Sequence, residues 1–207
     1  MATISFPRRT GSVSVALISL LIAGCNPSTT SRVKPPEVDS RTAAAEAIRL
    51  YDTNGDGSLD ESELAACPAI KSHRERYDKD GNRQVSPDEI VQRLDSIYST
   101  TVGLLEVQCT LTRRGRPLSD ATVRFIPAPF LGDAVQTAVA TTNSSGVATP
   151  SIPADLLPER LRNLQMMQVG LYAVEIEHSS LPGGAVKGLG FEVDPTRRDG
   201  TTARFDL

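Results

Sequence analysis

The chain has 207 residues, 22 Lys plus Arg against 25 Asp plus Glu, and a formal net charge of −3, with no Trp, five Phe and four Tyr. That balance argues against a nucleic-acid binder, and so few aromatics leave little from which to build stacking platforms for bases or sugars. A 39% hydrophobic fraction fits a soluble core and not a bundle of membrane spans, and two histidines, His73 and His178, are too few for a His-rich zinc centre.

Residues 1–24 differ from the rest. Arg8 and Arg9 are their only charged side chains, and an apolar run from Val13 to Ala23 follows. As a helix this run rises only about 16 Å against the roughly 30 Å of a hydrocarbon core, so it reads as a secretory signal and not as a stable anchor. It ends Ile22-Ala23-Gly24-Cys25, which resembles the lipobox of bacterial lipoproteins. The resemblance implies cleavage before Cys25, acylation of that residue, and attachment of an exported protein to a membrane through two or more acyl chains. Asn26, where lipoproteins retained at the inner membrane often carry Asp, points to the outer membrane or the cell surface. The stretch from Asn26 to Val38 holds three Pro and no apolar periodicity. Residues 25–38 therefore read as a flexible tether, reaching about 20 Å.

Acidic charge concentrates in residues 39–99, which hold 13 acids and 8 bases, whereas residues 104–207 hold 11 and 10. Asp39-Ser40 supplies helix caps, and Ala44, Ala47, Ile48 and Tyr51 recur at helical spacing, which predicts a helix over 41–51. Directly after it, Asp52, Asn54, Asp56, Ser58, Asp60 and Glu63 occupy positions 1, 3, 5, 7, 9 and 12 of a twelve-residue segment with Gly57 at position 6. This spacing suits a hard divalent cation, which takes six to eight oxygens at about 2.3–2.6 Å from a chain wrapped around it. Asp52, Asn54 and Asp56 serve as monodentate ligands, Ser58 offers its carbonyl, Asp60 acts through water, and Glu63 closes the sphere with both oxygens.

A second copy runs from Asp78 through Asp80, Asn82, Gln84 and Ser86 to Glu89. Arg83 replaces the expected Gly, and a left-handed conformation there costs about 1–2 kcal/mol, so weaker or distorted binding is expected in this copy. Both segments resemble EF-hand calcium loops. The resemblance implies that Leu59 and Val85, at position 8 of each, face one another across a short β-bridge. Ser86 and Pro87 open a helix with an Ile90, Val91, Leu94, Ile97 and Tyr98 stripe. Between the loops, residues 64–77 hold Cys67-Pro68 and fit two short helices. No Met lies there, so a structural or buffering module is expected and not a sensor that opens a Met-rich groove.

From Leu104 the period becomes two. Leu105, Val107, Cys109 and Leu111 face one way and their neighbours the other. Arg114-Gly115-Arg116-Pro117 forms a turn, Val123 and Phe125 continue the alternation, and strands fit 135–141, 147–152, 170–177, 186–193 and 202–207. Residues 155–167 read as a short helix or an irregular insert. Seven strands suggest an all-β two-sheet sandwich. The run from Val107 to Phe125, with Asn143-Ser-Ser-Gly146 and Gly170-Leu-Tyr172, resembles transthyretin-like, carboxypeptidase-regulatory-like domains. That likeness implies fold and not activity.

The expected class is thus α+β and multidomain: a signal (1–24), a tether (25–38), an EF-hand pair (39–99) and a seven-stranded sandwich (104–207). With Cys25 lipidated, Cys67 and Cys109 remain, an even number in an oxidising compartment. They either bridge the two modules, stabilising the fold by about 4 kcal/mol on the chain-entropy model, or stay buried free thiols. Neither His has a partner at metal-site spacing, and no nucleophile–base pair or phosphate cradle is visible, so no enzyme is expected. The leading function is calcium-ion binding by a membrane-anchored lipoprotein. The alternative is an adhesion or scaffold protein whose sandwich binds a protein or glycan, calcium being structural.

Overall fold

Asp39 opens the first helix of the computed structural model, which describes Met1 and residues 33–207. Its carboxylate accepts the Thr42 backbone N–H at 2.7 Å, and α1 runs from Ser40 to Tyr51, as an Asp N-cap dictates. Cys25 and the expected signal after Met1 lie outside the described residues. Three single-turn helices follow where two were expected: α2 (Glu61–Leu64), α3 (Pro68–Lys71) and α4 (Arg74–Tyr77). Pro68 restarts the helix after Cys67, since its missing N–H costs nothing at a first turn. Ser86 caps α5 (Pro87–Tyr98) in a reciprocal box with Glu89. α1 and α5 pack together, burying Ala43, Ala44 and Ala47 with Ile90, Leu94 and Ile97.

The sheet region contains ten strands and not seven. They are β1 (Leu104–Leu105), β2 (Gln108–Arg113), β3 (Arg116–Pro117), β4 (Thr122–Pro127), β5 (Ala138–Thr141), β6 (Val147–Ala148), β7 (Met167–Gln168), β8 (Gly170–Glu177), β9 (Ala185–Val193) and β10 (Thr202–Asp206). One four-stranded sheet has the antiparallel order β5-β4-β8-β9. In the other, β10 lies parallel to β2, with Ala203 opposite Cys109, and β3 and β6 share the opposite edge of β2. β1 and β7 form a separate antiparallel pair. Two-residue strands are too short to show alternation, which is why the sequence merges or omits them. Around β2 the alternation holds for Val107, Cys109 and Leu111, all fully buried, but not for Leu105, which is half-buried while Leu104 is the buried residue of β1. The chain is α+β.

Three expectations change. Residues 33–38 are not a free tether: the Gly103 N–H donates to the Val33 carbonyl at 2.7 Å, and Val33 and Val38 pack on the core. The 39–99 and 104–207 segments are not separate bodies either, because they belong to one compact unit with a common hydrophobic cluster. Finally, of the two readings left open for Cys67 and Cys109, the bridge is not formed and the second holds: both stand as free, buried thiols. Cys67 ends a helical turn beside the Tyr51 hydroxyl, while Cys109 points into the core from β2 between β10 and β6. Burial pushes the Cys67 thiol up to about 11 and the Cys109 thiol up to about 12, so neither offers a thiolate near neutrality.

The helical and sheet segments are joined at β9. Gly190 lets α3 lie directly on the strand, since a Cβ there would sit 1.9 Å from the Pro68 carbonyl oxygen. Two residues on, Glu192 is fully buried, a placement that is costly for a carboxylate unless it is well paired. It accepts from the Tyr77 hydroxyl at 2.6 Å, from Arg76 at 2.8 Å and from Arg93 at 2.7 Å. Arg93 also reaches Asp194, itself fully buried, at 2.6 Å.

Removing one member leaves uncompensated buried charge, so Glu192→Ala is expected to cost about 3–5 kcal/mol. Thermal or denaturant unfolding of the variant checks this. Burial opposes ionisation of Glu192 and Asp194, but the bonds from Arg93 and their other donors outweigh it and hold both below the usual carboxylate range. Their contribution is therefore complete above the ordinary carboxylate pKa and is lost as pH falls through the depressed folded values. Wild-type stability is expected to drop on acidification toward pH of about 3 more steeply than that of Glu192→Gln.

Candidate metal centre

The two acidic loops lie side by side. Leu59 and Val85 exchange backbone hydrogen bonds of 2.9 Å in each direction, an isolated antiparallel bridge, and both side chains are fully buried. Both belong to the common hydrophobic cluster, as do Leu64, Tyr77 and Ile90, so position 8 of each loop is anchored in the core while most oxygen-bearing positions are not buried.

In the first loop the expected ligands organise the backbone. Asp52 accepts the Gly55 and Gly57 N–H groups at 2.7 and 2.9 Å, Asn54 accepts that of Asp56 at 2.8 Å, and Asp56 that of Ser58 at 2.9 Å. Asp60 caps α2 through the Ser62 and Glu63 N–H groups. Glu63 folds back, one oxygen accepting from Thr53 at 2.8 Å and Asn54 at 3.1 Å, the other from Asp60 at 3.0 Å. Those backbone donors, Asp60 first, hold the Glu63 carboxyl below its usual range.

The second loop repeats the pattern almost bond for bond. Asn82 donates to Asp80 at 3.0 Å, Gln84 to Asn82 at 2.7 Å, and Lys79 and Ser86 to the two oxygens of Glu89 at 2.8 Å each. Burial opposes ionisation of Glu89, yet the Ser86 and Lys79 donors prevail and its pKa is lowered. Arg83 adopts the left-handed conformation whose cost the sequence reading weighed, φ 71° where Gly57 has φ 86°. Its N–H reaches Asp78 at 3.0 Å, as Gly57 reaches Asp52. The turn is the same, and the non-Gly residue bears the strain.

What separates the loops is how the carboxylates gather. Ligand oxygens of Asp78, Asp80 and Glu89 all lie within 4.8 Å of one another, and among the described residues this is the one such group. Oxygens sharing a hard cation at about 2.4 Å are at most about 5 Å apart, so these three fit one coordination sphere. Asp78 Oδ1 is buried and has no hydrogen-bond partner among the described residues, a costly state for a carboxylate oxygen and one that a cation relieves. Asp52, Asp56, Asp60 and Glu63 form no comparable group. The Gln84 side chain, read as part of the second loop, also crosses to donate to Asp56 at 3.2 Å. That cross-loop contact follows from the Leu59–Val85 pairing and has no local sequence signal.

Arg83→Gly removes the left-handed strain but adds freedom to the unfolded chain, so a net stabilisation of about 1 kcal/mol is expected. Urea unfolding of wild type and variant, with an unchanged m-value, checks it. Comparison with protein-family models, with curated proteins and with solved structures finds no match to this chain.

Proposed function

We propose that this protein binds calcium through an EF-hand-like pair, residues 52–63 and 78–89, and that it is an exported lipoprotein held on a membrane by acylated Cys25. Two observations carry the metal reading: carboxylate oxygens of Asp78, Asp80 and Glu89 lie within one ion's reach of one another, and Asp78 also keeps a buried oxygen with no hydrogen-bond partner among the described residues. Oxygen-only donors, with a carboxamide at position 3 of the first loop and position 5 of the second, favour a hard cation over zinc or copper, which draw on nitrogen and sulfur. In the second loop Asp78, Asp80, Asn82, the Gln84 carbonyl and Glu89 hold the ion. In the first, the same places fall to Asp52, Asn54, Asp56, the Ser58 carbonyl and Glu63. Occupied loops relieve carboxylate repulsion, so the ion acts on the order of the helical segment. On this reading the sheet region is a transthyretin-like sandwich that serves as spacer or partner surface.

Calorimetric titration of the full chain with calcium is expected to show saturable binding at about 10⁻⁴–10⁻³ M, the range of extracellular modules. Glu89→Gln and Glu63→Gln should each remove one equivalent. Wild-type protein giving no heat up to about 10 mM calcium rejects the metal reading. For the anchor, Cys25→Ser should move the protein from the membrane to the soluble fraction, because stable attachment needs acyl chains. Unaltered membrane recovery would rule that attachment out.

A further inference from the structure

Where α3 and α4 meet β9 and β10, a cavity of about 640 Å³ opens to the surface. That volume is within the range of small-molecule sites. Phe191 and Phe205 supply aromatic wall, and the His73 ring stands edge-on to Phe191 with centroids 6.4 Å apart. Three arginines, Arg76, Arg198 and Arg204, line the same space. Arg76 is committed to Glu192 and to Asp199, at 2.8 and 2.7 Å. Asp199, the acid on the wall, is further engaged by Arg197 at 3.0 Å. Arg198 and Arg204 have no ion-pair partner among the described residues, so the wall carries unspent positive charge. His73 Nε2 is a buried nitrogen with no hydrogen-bond partner among the described residues.

An apolar floor, two uncommitted guanidinium groups at the rim and an unsatisfied ring nitrogen are complementary to one chemistry. We propose that this cavity binds a small organic anion, its carboxylate or phosphate held by Arg198 and Arg204 and its apolar body laid against Phe191 and Phe205. Guanidinium suits both head groups because its planar donors pair with two oxygens at once, and the aromatic wall favours a flat body. None of these residues belongs to the acidic loops, so the site stands or falls independently of calcium.

The test is an NMR titration of the full chain with phenyl phosphate, phenylacetate and, as the neutral control, phenol, following the amides of His73, Gly190 and Phe191. Saturable shifts are expected for one or both anions with Kd of about 0.1–1 mM, modest as befits so few ligand atoms. The better anion identifies the head group. The binding should weaken with added salt, because the rim is exposed. Arg198→Ala combined with Arg204→Ala, both solvent-exposed positions, should raise Kd at least about tenfold with the melting temperature unchanged. Phenol binding as tightly as the anions, unaltered affinity in the double variant, or no saturable shift at these amides overturns the proposal.

Discussion

A fully buried carboxylate on β9 governs how the rest of this chain is arranged. Glu192 sits where water cannot solvate it, and three donors from the helical segment, Arg76, Tyr77 and Arg93, replace that water. Such a group tolerates no half measures, since a partly satisfied buried charge is worse than none. The donors come from α4 and α5, the two helices that flank the second acidic loop. Both ends of that loop are therefore held against one strand, which places Asp78 and Glu89 opposite each other.

The two loops show how nearly identical local bonding leads to different sites. Each uses its first acid to receive the N–H at position 6, and each turns with a positive φ there, whether the residue is Gly57 or Arg83. The hydrogen-bonding scaffold, and not glycine itself, sets the turn. Only the second loop, anchored on both sides, leaves an acid oxygen buried without a donor while gathering its neighbours. The same junction that holds this loop also shapes the Arg-lined cavity, because Arg76 faces Glu192 on one side and the cavity on the other.

Much of the local structure was legible from residues a few places apart. Asp39 and Ser86 marked helix starts, Pro87 the first turn, and Val107, Cys109 and Leu111 a buried strand face. The twelve-residue spacing marked the two acidic loops. Less was legible of the short pieces. A third single-turn helix and the two-residue strands carry too little periodicity to stand out from turns. The cysteines misled because an even count says nothing of direction: Cys67 turns toward Tyr51 and Cys109 toward the neighbouring strands. Glu192 gave no warning, since in Phe191-Glu192-Val193 it reads as the outward residue of an alternating strand.

By itself the sequence determined the helix caps, the oxygen spacing of both loops and the alternation of the longer strands, because each depends on bonds spanning at most a dozen residues. Tertiary structure alone decided that helices and sheets share one core, that residues 33–38 dock, that the thiols stay apart, and which loop gathers its acids. Those outcomes rest on partners far apart in the chain, such as Val33 with Gly103 and Arg93 with Glu192, the second pair brought together by the cost of leaving a charge unpaired in the interior.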